Sequence, residues 1–136
     1  MSEQNILLVD DDASLCHLIT HEMERIGLHV TCTDSSVDAI LKLQRSRYAV
    51  MLLDIMLSGS SGLYVIDALR DLAPQDRPHV VVITGVHGSI LSTVDRTVVK
   101  AVFFKPLDLG SLGAYVKSLA GWKSEAHPDR GVLSVD

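Results

Sequence analysis

Five short apolar runs, each too brief for a helix, alternate along the chain with segments of helical spacing, and this alternation restricts the fold more than any other feature. The runs are residues 5–9, 29–33, 49–53, 80–84 and 101–104. Three of them are near-continuous Val, Ile and Leu rather than alternating, the pattern of strands buried on both faces of a parallel sheet. Between them, Leu15, Leu18, Ile19, Met23 and Ile26 recur at helical spacing and stop at Gly27, a residue favoured just past a helix end. Val37, Ile40, Leu41 and Gln44 predict a second helix. Leu63, Ile66, Leu69 and Ala73 predict a third, stopped by Pro74. Ile90, Val94 and Val98 give a weaker fourth, and Leu109, Leu112, Val116 and Leu119 a fifth. Ser35 or Ser36 and Asp108 stand where N-caps are expected. Five βα units in strict alternation predict a doubly wound α/β fold, a parallel sheet wrapped by helices on both faces through right-handed crossovers.

A chain of 136 residues, 47% of them hydrophobic, has material for one core and not two. The expected division is one domain over residues 1–120 and a flexible tail or start of a linker over 121–136, rich in Gly, Ser, Asp and Pro around Trp122. The net charge of −5 argues against nucleic-acid binding by this domain, because phosphate backbones are held by clustered Lys and Arg. Cys16 and Cys32 lie in apolar stretches without a CxxC pair, so they are expected to be small buried thiols rather than a disulfide framework or zinc site. No apolar run approaches the ~18 residues of a membrane span, and three Asp by position 12 do not make a leader. These features predict a soluble, cytoplasmic molecule that binds no membrane.

In a doubly wound sheet, ligands sit beyond the carboxyl ends of the strands. Those ends are polar here: Asp10, Asp11 and Asp12 after the first, Asp54 after the third, Thr84 and Gly85 at the fourth, and Lys105 and Pro106 after the fifth. Singly, each has a commonplace role. An Asp at a strand end caps a helix, Thr is an ordinary strand residue, and Lys is a solvated charge. Jointly they place several carboxylates, a hydroxyl and an ammonium on one rim, an arrangement that repels itself unless a hard cation is present. Mg²⁺ suits it, because it takes oxygen ligands and is held by one or two carboxylates together with phosphate oxygens. A carboxylate nucleophile beside such an ion can receive a phosphoryl group, and Asp54 is the candidate.

Over about residues 4 to 120 the sequence resembles the receiver domains of two-component response regulators. The likeness is carried by Ile6-Leu7-Leu8-Val9-Asp10-Asp11-Asp12, Met51-Leu52-Leu53-Asp54, Gly62 eight residues later, Val82-Ile83-Thr84-Gly85 and Phe104-Lys105-Pro106. The resemblance implies a flavodoxin-like (βα)5 fold with strand order 2-1-3-4-5. It implies that Asp10, Asp11 and Asp54 bind Mg²⁺ with the backbone carbonyl of Met56, and that Asp54 accepts a phosphoryl group from a histidine kinase or histidine phosphotransfer protein. Thr84 would hydrogen-bond that group, Lys105 would pair with it, and the Lys105-Pro106 bond would be cis. Such a domain assists its own phosphorylation and dephosphorylation without being a turnover enzyme. It switches a downstream output domain or protein through the face of its fourth helix, fifth strand and fifth helix, with homodimerisation on phosphorylation as one outcome.

Two positions depart from the family pattern. Val102 stands where an aromatic switch residue is usual, and Phe103 next to it points to the opposite face of the strand, so the message to the output face is expected to be altered. Ser58 replaces the favoured Pro within Ser58-Gly59-Ser60-Ser61, which predicts a more mobile loop after Asp54. Met56 and Val86, two residues beyond Asp54 and Thr84, offer no polar side chain to an attacking water, which predicts slow self-dephosphorylation. Three other readings compete. A phosphatase of the haloacid dehalogenase kind would need Asp at position 56, which is Met. A flavin-binding domain would bring a phosphate against the Asp10–Asp12 carboxylates. A receiver fold used as an interaction module, insensitive to phosphorylation, draws support from Val102.

Overall fold

The computed structural model describes residues 5–57, 60–85, 97–125 and 133–135. In chain order the elements are β1 (Asn5–Val9), α1 (Ala13–Arg25), β2 (His29–Thr33), α2 (Ser36–Arg45), β3 (Val50–Leu53), the short β4 (Met56–Leu57) and β5 (Ser60–Ser61), α3 (Leu63–Leu69), a 3-10 turn at Pro74–Asp76, β6 (His79–Thr84), β7 (Val99–Phe104), α4 (Leu109–Glu125) and β8 (Leu133–Val135). The main sheet runs β2-β1-β3-β6-β7-β8, with every pairing parallel. Its first five strands follow the expected order, and β4 with β5, a separate antiparallel hairpin, merely shifts the numbering. The fold is therefore the doubly wound, flavodoxin-like α/β architecture.

Alternation of side chains along the buried strands divides the core in two. Ile6, Leu8, Val50, Leu52, Val81, Ile83, Ala101 and Phe103 face the layer that holds Ile19 and Met23 of α1 and Leu112, Val116 and Leu119 of α4. Leu7, Val9, Met51, Leu53, Val80, Val82, Val99 and Val102 face Ala39 and Leu43 of α2 and Val65, Ile66 and Leu69 of α3. The β6–β7 register slips between Val80 and Val81, pairing Val80 with Val99 but Val81 with Ala101. This irregularity changes which face each later residue of β7 presents, turning Val102 toward the α2–α3 layer and Phe103 toward the α1–α4 layer.

Local sequence explains the helix ends. Asp12 caps α1 by accepting from the Leu15 amide at 3.1 Å, and Gly27 beyond its last turn takes φ +92°, which side-chain-bearing residues rarely adopt. Ser35, not Ser36, caps α2 through the Asp38 amide at 3.1 Å, and Asp108 caps α4 through the Ser111 amide at 3.2 Å.

Several expectations need correction. On α2 the buried face is Ser36, Ala39 and Leu43, while Val37 and Leu41 point outward, Val37 being 69% exposed. Leu18 of α1 is likewise exposed. Helix α3 closes at Leu69, and Ala73 lies beyond it, leading into the 3-10 turn. Cys32 is exposed on the edge strand β2 and Cys16 is only half-buried, so the thiols are not a buried pair. The flanks of the segment after Asp54 pair as Met56–Ser61 and Leu57–Ser60, while Ser58, on which the expected loop mobility rests, lies with residue 59 outside the described residues. Most of the expected fourth helix, with Ile90 and Val94, also lies outside them, as does Val86. Helix α4 continues to Glu125, and residues 133–135 lie parallel to β7, where the sequence suggested a tail from residue 121. The exposed edge of β7 offers unpaired backbone groups, and a Leu-Ser-Val segment with strand propensity satisfies them. Among the described residues no helix is long and apolar enough to cross a membrane.

Candidate functional site

The two strands that diverge at the topological switch, β1 and β3, each release an Asp at the same rim. The Asp10 amide donates to Thr33 O at 3.1 Å and the Asp54 amide to Val9 O at 2.9 Å, so both residues are anchored to a neighbouring strand as the chain leaves the sheet. Each carboxylate is then aimed by the backbone two residues on. The Asp12 amide donates to Asp10 Oδ1 and the Met56 amide to Asp54 Oδ1, both at 2.9 Å.

The result is a three-carboxylate cluster: Asp10 and Asp54 buried, Asp11 exposed, with oxygens that lie within 4.8 Å of one another. Lys105 reaches this cluster from β7, two strands away from β3, and its Nζ lies 2.9 Å from Asp10 Oδ2 and 3.0 Å from Asp54 Oδ2. Burial works to lower the Lys105 pKa, but its hydrogen bonds and charge attraction to Asp10 and Asp54 outweigh that and raise it. Asp54 is pushed up by burial, against the Met56 amide and Lys105, which stabilise its charge. Three carboxylates against one ammonium leave a formal excess of two negative charges (3 − 1 = 2).

That excess fits a hard divalent cation. The buried Asp10 Oδ2 has the Lys105 ammonium as its one close polar contact among the described residues, so it has lone-pair capacity to spare. Oxygen-only donors, one of them facing solvent on Asp11, match an ion that keeps some of its waters. Met56 is 51% exposed beside the cluster and pairs with Ser61 through its backbone.

Thr84 is fully buried at the end of β6, next to β3, and its carbonyl accepts from the Lys105 amide at 2.8 Å, which ties two of the rim residues together. The Lys105–Pro106 peptide bond is cis. Gly62 is required by close approach: a Cβ there would lie 2.4 Å from the Asp54 carbonyl oxygen. At Gly85 a Cβ would meet nothing within 4 Å, so no steric demand for glycine is found among the described residues. Val102 is buried with an aliphatic side chain on the α2–α3 side, and Phe103 packs on the other side against Tyr115 with ring centroids 5.7 Å apart.

Of the residues expected to converge, Asp10 and Asp54 meet Lys105 by direct contact, and Asp11 brings a carboxylate oxygen within 4.8 Å of theirs. Asp12 does not join them, because it caps α1. One contributor went unread in the sequence: Cys16 Sγ donates to the Asp10 carbonyl at 3.3 Å. Its position one helical turn after the Asp12 cap was the available signal.

A doubly wound fold with this acidic, lysine-bearing rim defines a class of signalling receiver modules, and the chain belongs to the response regulator receiver domain family, whose model matches residues 6–117. Among curated proteins it is similar to the acid tolerance regulatory protein ActR of Rhizobium meliloti, 29% identical over 98% of this chain and 68% of that protein. It is also similar to the photosynthetic apparatus regulatory protein RegA of Rhodobacter capsulatus, 33% identical over 82% of this chain and 60% of that protein. Among solved structures, the response regulator TrrA of Thermotoga maritima, in complex with Mg²⁺ and BeF, shares the fold with a TM-score of 0.72 at 23% identity, over 85% of this chain and 97% of that one.

Proposed function

We propose that this receiver domain accepts a phosphoryl group on Asp54 from a phosphohistidine donor and thereby switches a downstream output. The observation that carries the reading is the Asp54 carboxylate itself, buried at the rim between a second carboxylate pair and the Lys105 ammonium. A free Asp54 oxygen would attack phosphorus in line while the P–N bond to the donor imidazole breaks, yielding an aspartyl phosphate. Asp10, Asp11 and Asp54, with the Met56 carbonyl, would hold Mg²⁺, which neutralises the phosphoryl oxygens and the carboxylates that face them. Lys105, now shared by Asp10 and Asp54, would turn to the incoming phosphoryl oxygens, and the Thr84 hydroxyl would hydrogen-bond another.

The donor would be a histidine kinase or histidine phosphotransfer protein, and the setting the cytoplasm. The regulators RegA and ActR extend beyond the share this chain covers, which supports an output domain or partner protein as the recipient of the switch. With valine at position 102, the switch would reach the output face without an aromatic rotamer. Met56 at the rim has no polar side chain to position a water, so the phosphorylated state would be long-lived; a phospho-Asp54 half-life of a few seconds would contradict this.

The test is incubation with Mg²⁺ and either acetyl phosphate or beryllofluoride, read by intact mass and by NMR shifts, on wild type and Asp54→Asn. Wild type gains one phosphoryl group and Asp54→Asn none. Equal responses, or no response in either, would instead favour the reading of Val102 as the mark of an interaction module that ignores phosphorylation.

A further inference from the structure

Cys16 and Cys32 are 16 residues apart in sequence but meet where α1 packs on the edge strand β2. Thr20, one turn after Cys16 on the same helix face, has its Oγ1 3.3 Å from Cys32 Sγ, which sets Cys32 against the face of α1 that carries Cys16. Both line an open cavity of about 440 Å³ whose other walls include Asp10, Asp11 and Thr33. Cys32 faces solvent and Cys16 sits behind it, with its S–H directed to the Asp10 carbonyl at 3.3 Å. A thiol open to oxidants, a second thiol lining the same cavity on the facing helix and a hydrogen bond from that second thiol to the acidic rim form a connected series.

We infer that Cys16 and Cys32 are a reversible thiol pair that closes to an intramolecular disulfide under two-electron oxidants such as a peroxide, and that closure weakens cation binding at Asp10. The exposed Cys32 sulfur attacks the peroxide, its S–H becoming S–OH as one water leaves. Cys16 sulfur then displaces the hydroxyl, which departs with the Cys16 proton as a second water. Peroxide is reduced to two waters and the two thiols lose two hydrogens between them. The disulfide has no S–H, so the Asp10 carbonyl loses its donor and the loop bearing Asp10 and Asp11 loses one of its restraints. Apparent Mg²⁺ affinity is expected to fall by roughly two- to five-fold, the effect of removing one weak hydrogen bond from the support of a ligand.

The effect on the cation site rests on the proposed function, whereas the disulfide does not. Protein treated with hydrogen peroxide is alkylated under denaturing conditions and weighed intact, then titrated with Mg²⁺ by calorimetry before and after dithiothreitol. The expected result is a monomer lighter by two hydrogens with no alkylatable thiol, restored by dithiothreitol and absent in Cys16→Ser and Cys32→Ser. Retention of both thiols, over-oxidation of Cys32 alone, or dimers linked through Cys32 would overturn the thiol pair. A disulfide that forms but leaves Mg²⁺ affinity unchanged would overturn its coupling to Asp10. Failure of the reduced protein to bind Mg²⁺ at all would count against the proposed function and leave the disulfide result standing.

Discussion

At the rim, burial makes individual charged side chains costly to the fold. Burial raises the Asp54 pKa, so the folded state binds that proton more tightly than the unfolded chain does. Its favourable contribution is complete below the ordinary carboxylate range and disappears as pH rises through the raised folded value, above which the carboxylate is ionised and partly desolvated. Asp54→Asn is therefore expected to raise the melting temperature in the absence of divalent ions, and the gap to wild type should widen between about pH 4 and neutrality, where carboxylates titrate. Thermal melts of the two proteins across that range, in chelator, measure it; a constant gap would remove the electrostatic explanation. Gly62 answers a different demand. Its missing Cβ admits the Asp54 carbonyl, so Gly62→Ala should cost about 3 kcal/mol by urea unfolding, the scale of a forced steric clash. These rim residues were legible in the sequence because strand ends in this topology are where ligands bind. The division of labour among the three consecutive Asp was not, since only the tertiary path sends Asp10 and Asp11 toward Asp54 and leaves Asp12 to cap α1.

For whole elements, the helices teach most. Periodicity alone located α2, yet it selected Val37, Ile40, Leu41 and Gln44 as the inward face, whereas Ser36, Ala39 and Leu43 are the buried residues, with Ala39 and Leu43 in the core layer that α3 shares. A short helix with apolar residues on more than one side has no unique hydrophobic face, and the small side chains at 36 and 39 allow the closer approach to the sheet. Two substitutions read this directly by urea unfolding. Val37→Lys should change stability by no more than about 0.5 kcal/mol, as exposed sites do, while Leu43→Ala should cost about 2 to 4 kcal/mol. The reverse ranking would mean that the helix presents its other side. The strands were easier to read. Near-continuous apolar runs have few alternatives to a doubly covered parallel sheet, and β1, β3 and β6 are buried along almost their whole length.

The whole molecule adds two linked properties. A cation that binds the folded rim but not the unfolded chain stabilises the fold by mass action, about 2.7 kcal/mol at a hundredfold excess over its dissociation constant. Mg²⁺ should accordingly raise the melting temperature of wild type and much less that of Asp10→Asn, as scanning calorimetry would show; equal shifts would place the ion elsewhere. Deleting residues 126–136 should preserve the five-stranded fold but expose the outer edge of β7, giving a modest loss of stability and greater self-association by sedimentation. Monodisperse, equally stable truncated protein would mean that β8 contributes nothing. By itself the sequence determined the α/β class, the strand positions and the set of polar residues at their ends, because the run lengths, hydrophobic periods and end residues are local properties of the chain. Only the tertiary structure decided which side of α2 turns inward, which core layer the slipped β6–β7 register gives to Val102 and which to Phe103, that Cys32 and Cys16 line one cavity, and that Lys105 spans two strands to reach Asp10 and Asp54. Those outcomes depend on contacts between segments far apart in sequence, whose energies no local pattern contains.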